Sequence, residues 1–287
     1  MLPRSFNWPS ASWSFPWRDE LRVLIQPHSL SLLRIKRGIK PLAVAREEIA
    51  LEVNSATTTN GEFWQPAIAS LHQQLQMQQW RGCQPKVVVS NHFAHYAIVP
   101  WNASLHSRKE QSAFVRHYFT QLYGDFARAW DIRTTPMTYG HPTFASAIDE
   151  KLLQALREEF SRAGLPVHNI HPHLMVAANV IRQKLARTPL PNALNFVMLE
   201  NDRVVIALIQ HGQWLSLQSY AAESDIENQL QALLDRESII AGVDNSEWPV
   251  VFYAAGASHL TSLQLPQRKV HNIVPHHQDQ HGMEAWQ

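Results

Sequence analysis

The segment from Asn195 to Ser219, NFVMLENDRVVIALIQHGQWLSLQS, decides the fold of this 287-residue chain. Three runs rich in Val, Ile and Leu are separated by two short polar turns, Asn201-Asp202 and His211-Gly212. Apolar runs of this length joined by short turns predict three consecutive antiparallel strands, a meander. The predicted strands are Leu194 to Leu199, Val204 to Ile209 and Trp214 to Tyr220.

The same pattern opens the chain, where two further turns, Pro27-His28-Ser29 and Arg37-Gly38, separate apolar runs. The strands predicted there are Leu21 to Gln26, Leu30 to Lys36 and Leu42 to Val53. The two segments share almost no identical residues, so we interpret them as a topological echo and not as a sequence repeat. The chain is thus predicted to consist of two halves that begin with the same three-strand element.

Apolar residues spaced three and four apart predict a helix after each meander and three more between them. The predicted helices are 64–80, 114–126, 148–163, 172–185 and 226–234. Single strands are predicted at 87–89, 94–99, 130–133, 167–170, 250–253 and 270–274. Strands that alternate with helices favour a layered α/β domain.

Local signals predict where several of these helices begin. Ser146 and Asp149 are spaced like a capping pair, and Ser224 and Glu227 like a capping box. Pro172 suits the first position of the next helix, because a helix needs no backbone donor there.

Composition excludes several classes of protein. The net charge is +1 with histidines neutral, so no overall field attracts nucleic acid or acidic lipid. The single cysteine, Cys83, excludes a disulfide framework within the chain, and we expect it to be an inert thiol. No apolar stretch approaches about 18 residues, and residues 1–18 lack the pattern of a signal peptide. We therefore expect a soluble, cytoplasmic protein.

Three blocks of the sequence resemble two related families. The blocks are Val87 to Trp101, Ala147 to Asn179, and Asn195 to Ser219 with its G-x-W turn at Gly212 and Trp214. They are similar to the PilM family of type IV pilus assembly and to the cytoplasmic domain of the GspL family of type II secretion. The resemblance covers about residues 20–275. It implies an α/β, actin-like (ribonuclease H-like) fold with duplicated subdomains, each a three-strand meander followed by alternating helices and strands.

This fold predicts the following division of the chain. Residues 1–18 form an irregular, Trp-rich N-terminal arm, and residues 276–287 a polar tail. Residues 19–170 form the first actin-like half, which contains an inserted small subdomain at about 91–146. Residues 171–275 form the second half.

The resemblance also implies a function. Both families are bacterial. The resemblance implies a non-catalytic scaffold of a type IV pilus or type II secretion inner-membrane assembly platform. Its partner would be a bitopic inner-membrane protein, bound through a short cytoplasmic segment that holds the scaffold at the membrane. Trp64 and Trp101 are candidate aromatics of a partner groove, with ordinary core packing as the alternative. A homodimer is left open.

Members of this fold that hydrolyse ATP bind phosphates with two glycine-rich turns, each beside an Asp. Here the first turn contains Pro27, His28 and Ser29, and the second contains Asn201 and Asp202, with no glycine in either. The adenosine-side loop keeps one glycine, Gly256. We interpret His28, Ser29, Asn201, Asp202 and Gly256 as a vestigial nucleotide cleft, with no catalytic residue and no cofactor. Glu200 and Asp202 are interpreted as solvated turn residues.

Two rival interpretations follow from the same residues. The first is an actin-like or sugar-kinase-like enzyme that binds ATP and Mg²⁺ through an atypical phosphate site, in which Asp202 and Gly256 would take part. The second is an unrelated α/β protein whose order of elements merely coincides with the actin-like one.

Histidine pairs raise the possibility of a metal site. His171 and His173 are two residues apart, and His92 and His95 are three apart, but neither pair has acids or cysteines at ligand spacing. On an alternating strand His92 and His95 would point to opposite faces. We expect no metal site at either pair, nor at the tail histidines His271, His276, His277 and His281.

Overall fold

The computed structural model describes residues 18–38, 41–52, 62–136, 139–185, 191–255, 262–273 and 283. Gly256, most of the predicted N-terminal arm and most of the predicted tail lie outside these residues. Within them, no helix is long and apolar enough to cross a bilayer.

The first sheet has five strands in the order β3-β2-β1-β4-β8. Strands β1, β2 and β3 form the predicted antiparallel meander, and β4 and β8 extend the sheet in parallel with β1. Their bounds are β1 Glu20–Ile25, β2 Ser29–Lys36, β3 Leu42–Ala50, β4 Gln84–Val89 and β8 Ile170–Pro172.

The second sheet repeats this order as β11-β10-β9-β12-β13. Its strands are β9 Ala193–Glu200, β10 Arg203–Gln210, β11 Gln213–Ala221, β12 Val250–Ala255 and β13 Val270–Ile273. Again the first three strands are antiparallel, and the last two run parallel to the first. The predicted echo between the two meanders is therefore confirmed, and it extends over all five strands of each sheet.

A third, small sheet with the order β5-β7-β6 lies between these halves in the sequence. Its strands are β5 Ala94–Val99, β6 Trp130–Thr134 and β7 Thr143–Asp149. β7 was not predicted, because its small residues, TFASAID, lack the bulky branched pattern of a strand. It nevertheless lies at the centre of the sheet, where six of its seven residues are buried.

Five α-helices lie within the described ranges: α1 Gln65–Leu75, α2 Arg108–Tyr123, α3 Glu150–Arg162, α4 His173–Leu185 and α5 Ile226–Ala241. Short 3₁₀ turns follow α1 at Gln78–Trp80 and α2 at Gly124–Ala129. The apolar spacing therefore located each of these five helices, whereas the predicted first residues were less accurate.

Three predictions of helix starts are wrong. Ser146 lies inside β7, and Asp149 alone caps α3 by accepting a hydrogen bond from the Lys151 amide at 2.8 Å. Pro172 ends β8, so α4 begins one residue later. Asp225, not Ser224, caps α5. A serine and a carboxylate three residues apart cannot by themselves distinguish a cap from a strand end.

The small sheet packs against the second half as well as being covalently part of the first. Phe144 of β7 lies 5.3 Å from Trp214 of β11 between ring centroids, and Trp214 contacts Phe196 of β9. On its other side the small sheet is covered by α2 through Val115 and Phe119. The small sheet thus bridges the two halves, which positions its loops at their junction.

The domain boundaries remain a proposal. Because β8 spans Ile170–Pro172, a boundary between residues 170 and 171 would divide a strand of the first sheet. We propose that the first half ends after Pro172 and that α4 begins the second.

Met283 lies against the first half. Its side chain is only 4% exposed and belongs to the main hydrophobic core. Its carbonyl oxygen accepts a hydrogen bond from Nη1 of Arg22 in β1, a side chain that also pairs with Glu20. The predicted polar tail therefore contains a residue that is buried in the core and hydrogen-bonded to the first half.

We expect Met283→Ala to lower the free energy of unfolding by about 2–4 kcal/mol, because it leaves a cavity in the core. Met283→Leu conserves volume and should cost less than about 1.5 kcal/mol. The exposed Met77→Ala serves as a surface control within about 0.5 kcal/mol of wild type. Urea denaturation followed by circular dichroism measures all three, and equal stability of M283A and M77A would contradict the buried position.

Candidate functional site

The first turns of the two meanders face each other across the junction between the halves. Gln26 directly follows β1, and Glu200 is the last residue of β9. Nε2 of Gln26 donates a hydrogen bond to Oε1 of Glu200 at 3.3 Å, and both side chains are completely buried. These two residues occupy equivalent positions in the two halves, because β1 and β9 are equivalent strands.

The Glu200 carboxylate has two further partners from other parts of the fold. Nδ1 of His173, the first residue of α4, lies 3.1 Å from Oε1. The backbone amide of Asn91, in the turn after β4, donates to Oε2 at 3.0 Å. A buried carboxylate needs this many donors, because transfer out of water without them is very unfavourable.

Asn91 extends the network to the small sheet. Its side-chain oxygen accepts hydrogen bonds from the Tyr96 hydroxyl of β5 at 2.6 Å and from the Leu174 amide of α4 at 3.1 Å. Gln26, Asn91, Tyr96, His173 and Glu200 are each at most 5% exposed. We call these five residues the junction network, since they connect both large sheets, the small sheet and α4.

The junction network strongly favours the charged form of Glu200. Burial alone raises the pKa of this carboxyl group. The adjacent His173 ring, the Asn91 amide and the His92 ring outweigh burial and lower the pKa to about 2. Glu200 is thus a fixed negative charge at neutral pH, held where the two halves meet.

His92 and Asp202 form an outer contact beside this network. Nε2 of His92 lies 2.7 Å from Oδ1 of Asp202, and Nδ1 of His92 lies 2.9 Å from the Ser90 hydroxyl. Burial lowers the pKa of His92, although nearby carboxylates oppose that shift. The Asp202 side chain is 66% exposed, so it lies at the outer edge of the junction, whereas Glu200 is buried at its centre.

The structure corrects the arrangement expected for the histidine pairs. His92 lies in a turn and not on a strand, so strand alternation does not apply to it. His95 lies in β5, where its ring stacks on Trp130 at 3.9 Å; burial and the nearby Arg203 lower its pKa to about 4. In the described part of the chain, no three His, Cys, Asp or Glu residues form a group that could hold a metal ion.

The structure places four of the five predicted cleft residues at the junction. His28 is exposed at the tip of the first turn, and the Ser29 hydroxyl donates to Oε1 of Gln26 at 2.8 Å. Asn201 adopts a positive φ of 51°, as a tight hairpin turn requires, and Asp202 contacts His92. Gly256 lies outside the described residues. The interpretation of Glu200 as a solvated residue is wrong, because its exposure is 0%.

Sequence reasoning missed Gln26, Asn91, Tyr96 and His173 as site residues. One signal was available: Glu200 is the last residue of the apolar run LNFVMLE. A carboxylate at the end of a buried strand is expected to be buried as well. Its partners come from segments up to 174 residues away, and no local pattern brings them together.

The residues at the junction do not fit Mg-ATP. The Gln26 amide already donates to the Ser29 carbonyl at 3.0 Å, and Pro27 has no backbone donor. Gln26 and His173 lie within hydrogen-bond distance of Oε1 of Glu200, and the Asn91 amide donates to Oε2. A second anion beside this buried carboxylate would be repelled.

The two candidate groove aromatics lie in different environments. Trp64 is 8% exposed and packs in the main core at the start of α1. Trp101, which follows β5, is half-buried and contacts the ring of Tyr139 at 5.0 Å, and Tyr139 is 84% exposed. Of the two tryptophans, Trp101 is therefore the one that offers aromatic surface to another molecule.

A polar cavity of about 160 Å³ opens between the small sheet and the first sheet. It lies beside β6 and β8, which are both edge strands of their sheets. Its charged and polar lining comes from Asp131, Arg133, Ser146, Arg157, His168, Asn169 and His171. Arg133 pairs with Asp131 at 2.9 Å, while burial and the nearby Lys86 lower the pKa of His171 to about 4. We call this cavity the edge pocket.

Comparison with known proteins places the fold. No family model and no curated protein matches the sequence. The PilM-PilN type IV pilus biogenesis complex contains a similar chain, with a TM-score of 0.58, 14% identity and coverage of 89% of this chain and 91% of that one. The cytoplasmic domain of EpsL, an inner-membrane component of the Vibrio cholerae type II secretion system, is also similar. Its TM-score is 0.57 at 10% identity, and the match covers 89% of this chain and 90% of that one.

A Bacteroides thetaiotaomicron protein of unknown function, described as having an actin-like ATPase fold, gives a TM-score of 0.54 at 8% identity. It covers 85% of this chain and 84% of its own. The chain therefore has the actin-like ATPase fold, as the resemblance of its three blocks implies. The interpretation as an unrelated α/β protein is wrong.

Glu200→Gln tests the junction network through its pH dependence. The pKa of Glu200 is lower in the folded state, so its stabilisation is complete above the ordinary value of 4.5 and is lost as the pH falls toward 2. The shift corresponds to about 3 kcal/mol. We expect the stability difference between wild type and E200Q to shrink across this window in urea denaturation.

The exposed Glu223→Gln is the matched control and should follow wild type throughout the same window. A difference between wild type and E200Q that is constant from pH 5 to pH 2 would show that Glu200 does not carry a buried charge.

Proposed function

We propose that this protein is a non-catalytic scaffold of an inner-membrane assembly platform, of the type IV pilus or type II secretion kind. The observation that carries the proposal is the junction network, in which Glu200 lies buried between the two turns. The likeness to a chain of the PilM-PilN complex and to cytoplasmic EpsL supports the setting. The scaffold would be held at the inner membrane through its partner.

The junction network supports a scaffold because it joins the two halves through direct hydrogen bonds between their side chains and backbone. The two turns meet through Gln26 and Glu200, and Asn91 fixes α4 and the small sheet to the same point. Every buried hydrogen bond of this kind opposes relative movement of the elements it joins. The vestigial nucleotide cleft is then the outer edge of this junction, formed by His28, Ser29, Asn201 and Asp202. The hydrogen bonds of the junction network occupy its centre.

We propose the edge pocket as the place where the cytoplasmic segment of a bitopic membrane protein binds. An extended segment can add to the edge of a sheet through main-chain hydrogen bonds, while a pocket selects one side chain. The edge of β6 supplies the main-chain groups and the pocket lies beside it. Arg157 lies on the exposed face of α3 and gives the pocket a positive charge, which favours a carboxylate in the bound segment.

Trp101 is proposed as a second contact for the same partner. It lies at the outer end of β5, next to the exposed ring of Tyr139. Paired aromatic rings that are half in solvent are frequent anchors at protein interfaces. Trp64 packs in the core and takes no part in this proposal.

Calorimetric titration with Mg-ATP distinguishes a scaffold from an ATP-binding enzyme. We expect no saturable heat up to millimolar nucleotide, because Glu200 repels an anion and neither turn presents glycine amides. A saturable isotherm in the micromolar range that weakens in Asp202→Asn would favour the enzyme and contradict the scaffold.

Site-specific photo-crosslinking in cells tests the partner site. A photoreactive phenylalanine analogue at Arg157 should form an adduct with an integral membrane protein, because that position borders the edge pocket. The matched control is the exposed Arg236 on α5 of the second half, where no such adduct is expected. Arg133→Glu should reduce the adduct at position 157. Equal adducts at both positions, or none at 157, would contradict the site.

A further inference from the structure

β3 is the outer strand of the first sheet, at the edge opposite β8. Among the described residues its hydrogen bonds run along one side only, to β2. It is nine residues long and carries two exposed apolar side chains, Leu42 at 62% and Val44 at 47%. A long edge strand with exposed apolar residues is a template for another strand.

The charged residues of β3 determine which strand can pair with it. Side chains alternate along a strand, so Arg46 and Glu48 point to one face of the sheet and Glu47 to the other. Ala45 and Ile49 lie on the face of Glu47 and pack at the margin of the main core. Arg46 and Glu48 each already interact within the protomer. A second chain would therefore add a contact to side chains that already have one.

We propose that β3 pairs antiparallel with β3 of a second copy of this chain, so that the two first sheets become one continuous ten-stranded sheet. A two-fold axis perpendicular to the sheet must lie midway between one residue and the same residue of the second copy. We place this axis at Glu47. In this register Arg46 lies opposite Glu48 of the partner subunit, and symmetry forms the same ion pair twice. Ala45 lies opposite Ile49 of the partner subunit.

Neighbouring registers are less favourable on charge alone. An axis at Arg46 places two arginines opposite each other, and an axis at Glu48 places two glutamates opposite each other. An axis at Ala45 places Arg46 opposite Val44 and Glu48 opposite Leu42, which buries charge against apolar groups. The charge pattern of β3 thus fits a copy of itself in one register and discourages unrelated strands.

The chosen register keeps one unfavourable contact. Glu47 lies opposite its own symmetry copy, and its Oε1 accepts a long hydrogen bond from Gln79 Nε2 at 3.4 Å. Two carboxylates directly opposite each other on a sheet repel. This repulsion predicts that removal of the Glu47 charge strengthens the dimer.

The interface is a single strand pair, so the dimer belongs to the small, reversible class with a dissociation constant of about micromolar. Dimerisation through β3 is independent of partner capture at the edge pocket. Its failure would leave the scaffold proposal untouched, and failure of that proposal would leave the dimer untouched.

Sedimentation equilibrium of the full chain tests the dimer with four variants. Arg46→Glu and Glu48→Arg should each weaken association by at least about tenfold, because each places like charges opposite each other twice. The double variant R46E/E48R restores two opposite-charge pairs and should dimerise like wild type. Glu47→Gln should associate more tightly than wild type.

The matched control is Arg162→Glu on α3, which removes ion pairs with Glu158 and Glu159 far from β3 and should not change association. Circular dichroism verifies that every variant is folded. A wild-type chain that stays monomeric up to about 100 μM, or a dimer that R46E/E48R fails to restore, would overturn the proposal.

Discussion

The burial of one charge, the Glu200 carboxylate, is the constraint on which the arrangement of the halves depends. A carboxylate at the end of a central strand cannot reach solvent when a second sheet lies against it, so the fold must supply donors. It does so from three separate elements: the strand end at Gln26, the turn at Asn91 and the helix start at His173. Each donor fixes the position of its own element relative to the second sheet.

This constraint explains why glycine-poor turns are compatible with the fold. Glycines in such turns allow backbone amides to approach a bound phosphate closely. Here a side-chain anion from the chain itself lies between the turns, and side-chain donors reach it over a longer distance. The turns at Pro27 and Asn201 therefore have the geometry of ordinary tight hairpins. The positive φ of Asn201 is an example.

The sequence predicted most of the architecture, because the meanders and helices are encoded in local apolar periodicity. It failed at β7, where small residues form a central strand that neighbouring strands stabilise, and at the caps, where Asp149 and Asp225 act instead of nearby serines. At the junction it located the turns but not the network. Whether Glu200 faces water or the interior depends on the packing of the second half against the first, which local sequence does not encode.

The two proposed interaction surfaces lie at opposite edges of one sheet. β8 borders the edge pocket and β3 forms the other edge, with three strands between them. Strands spaced about 4.8 Å apart place these edges about 19 Å from each other. A second copy bound along β3 therefore leaves β8 and β6 accessible. A dimer would present two edge pockets related by the same two-fold axis, so that one scaffold dimer could hold two membrane partners at once.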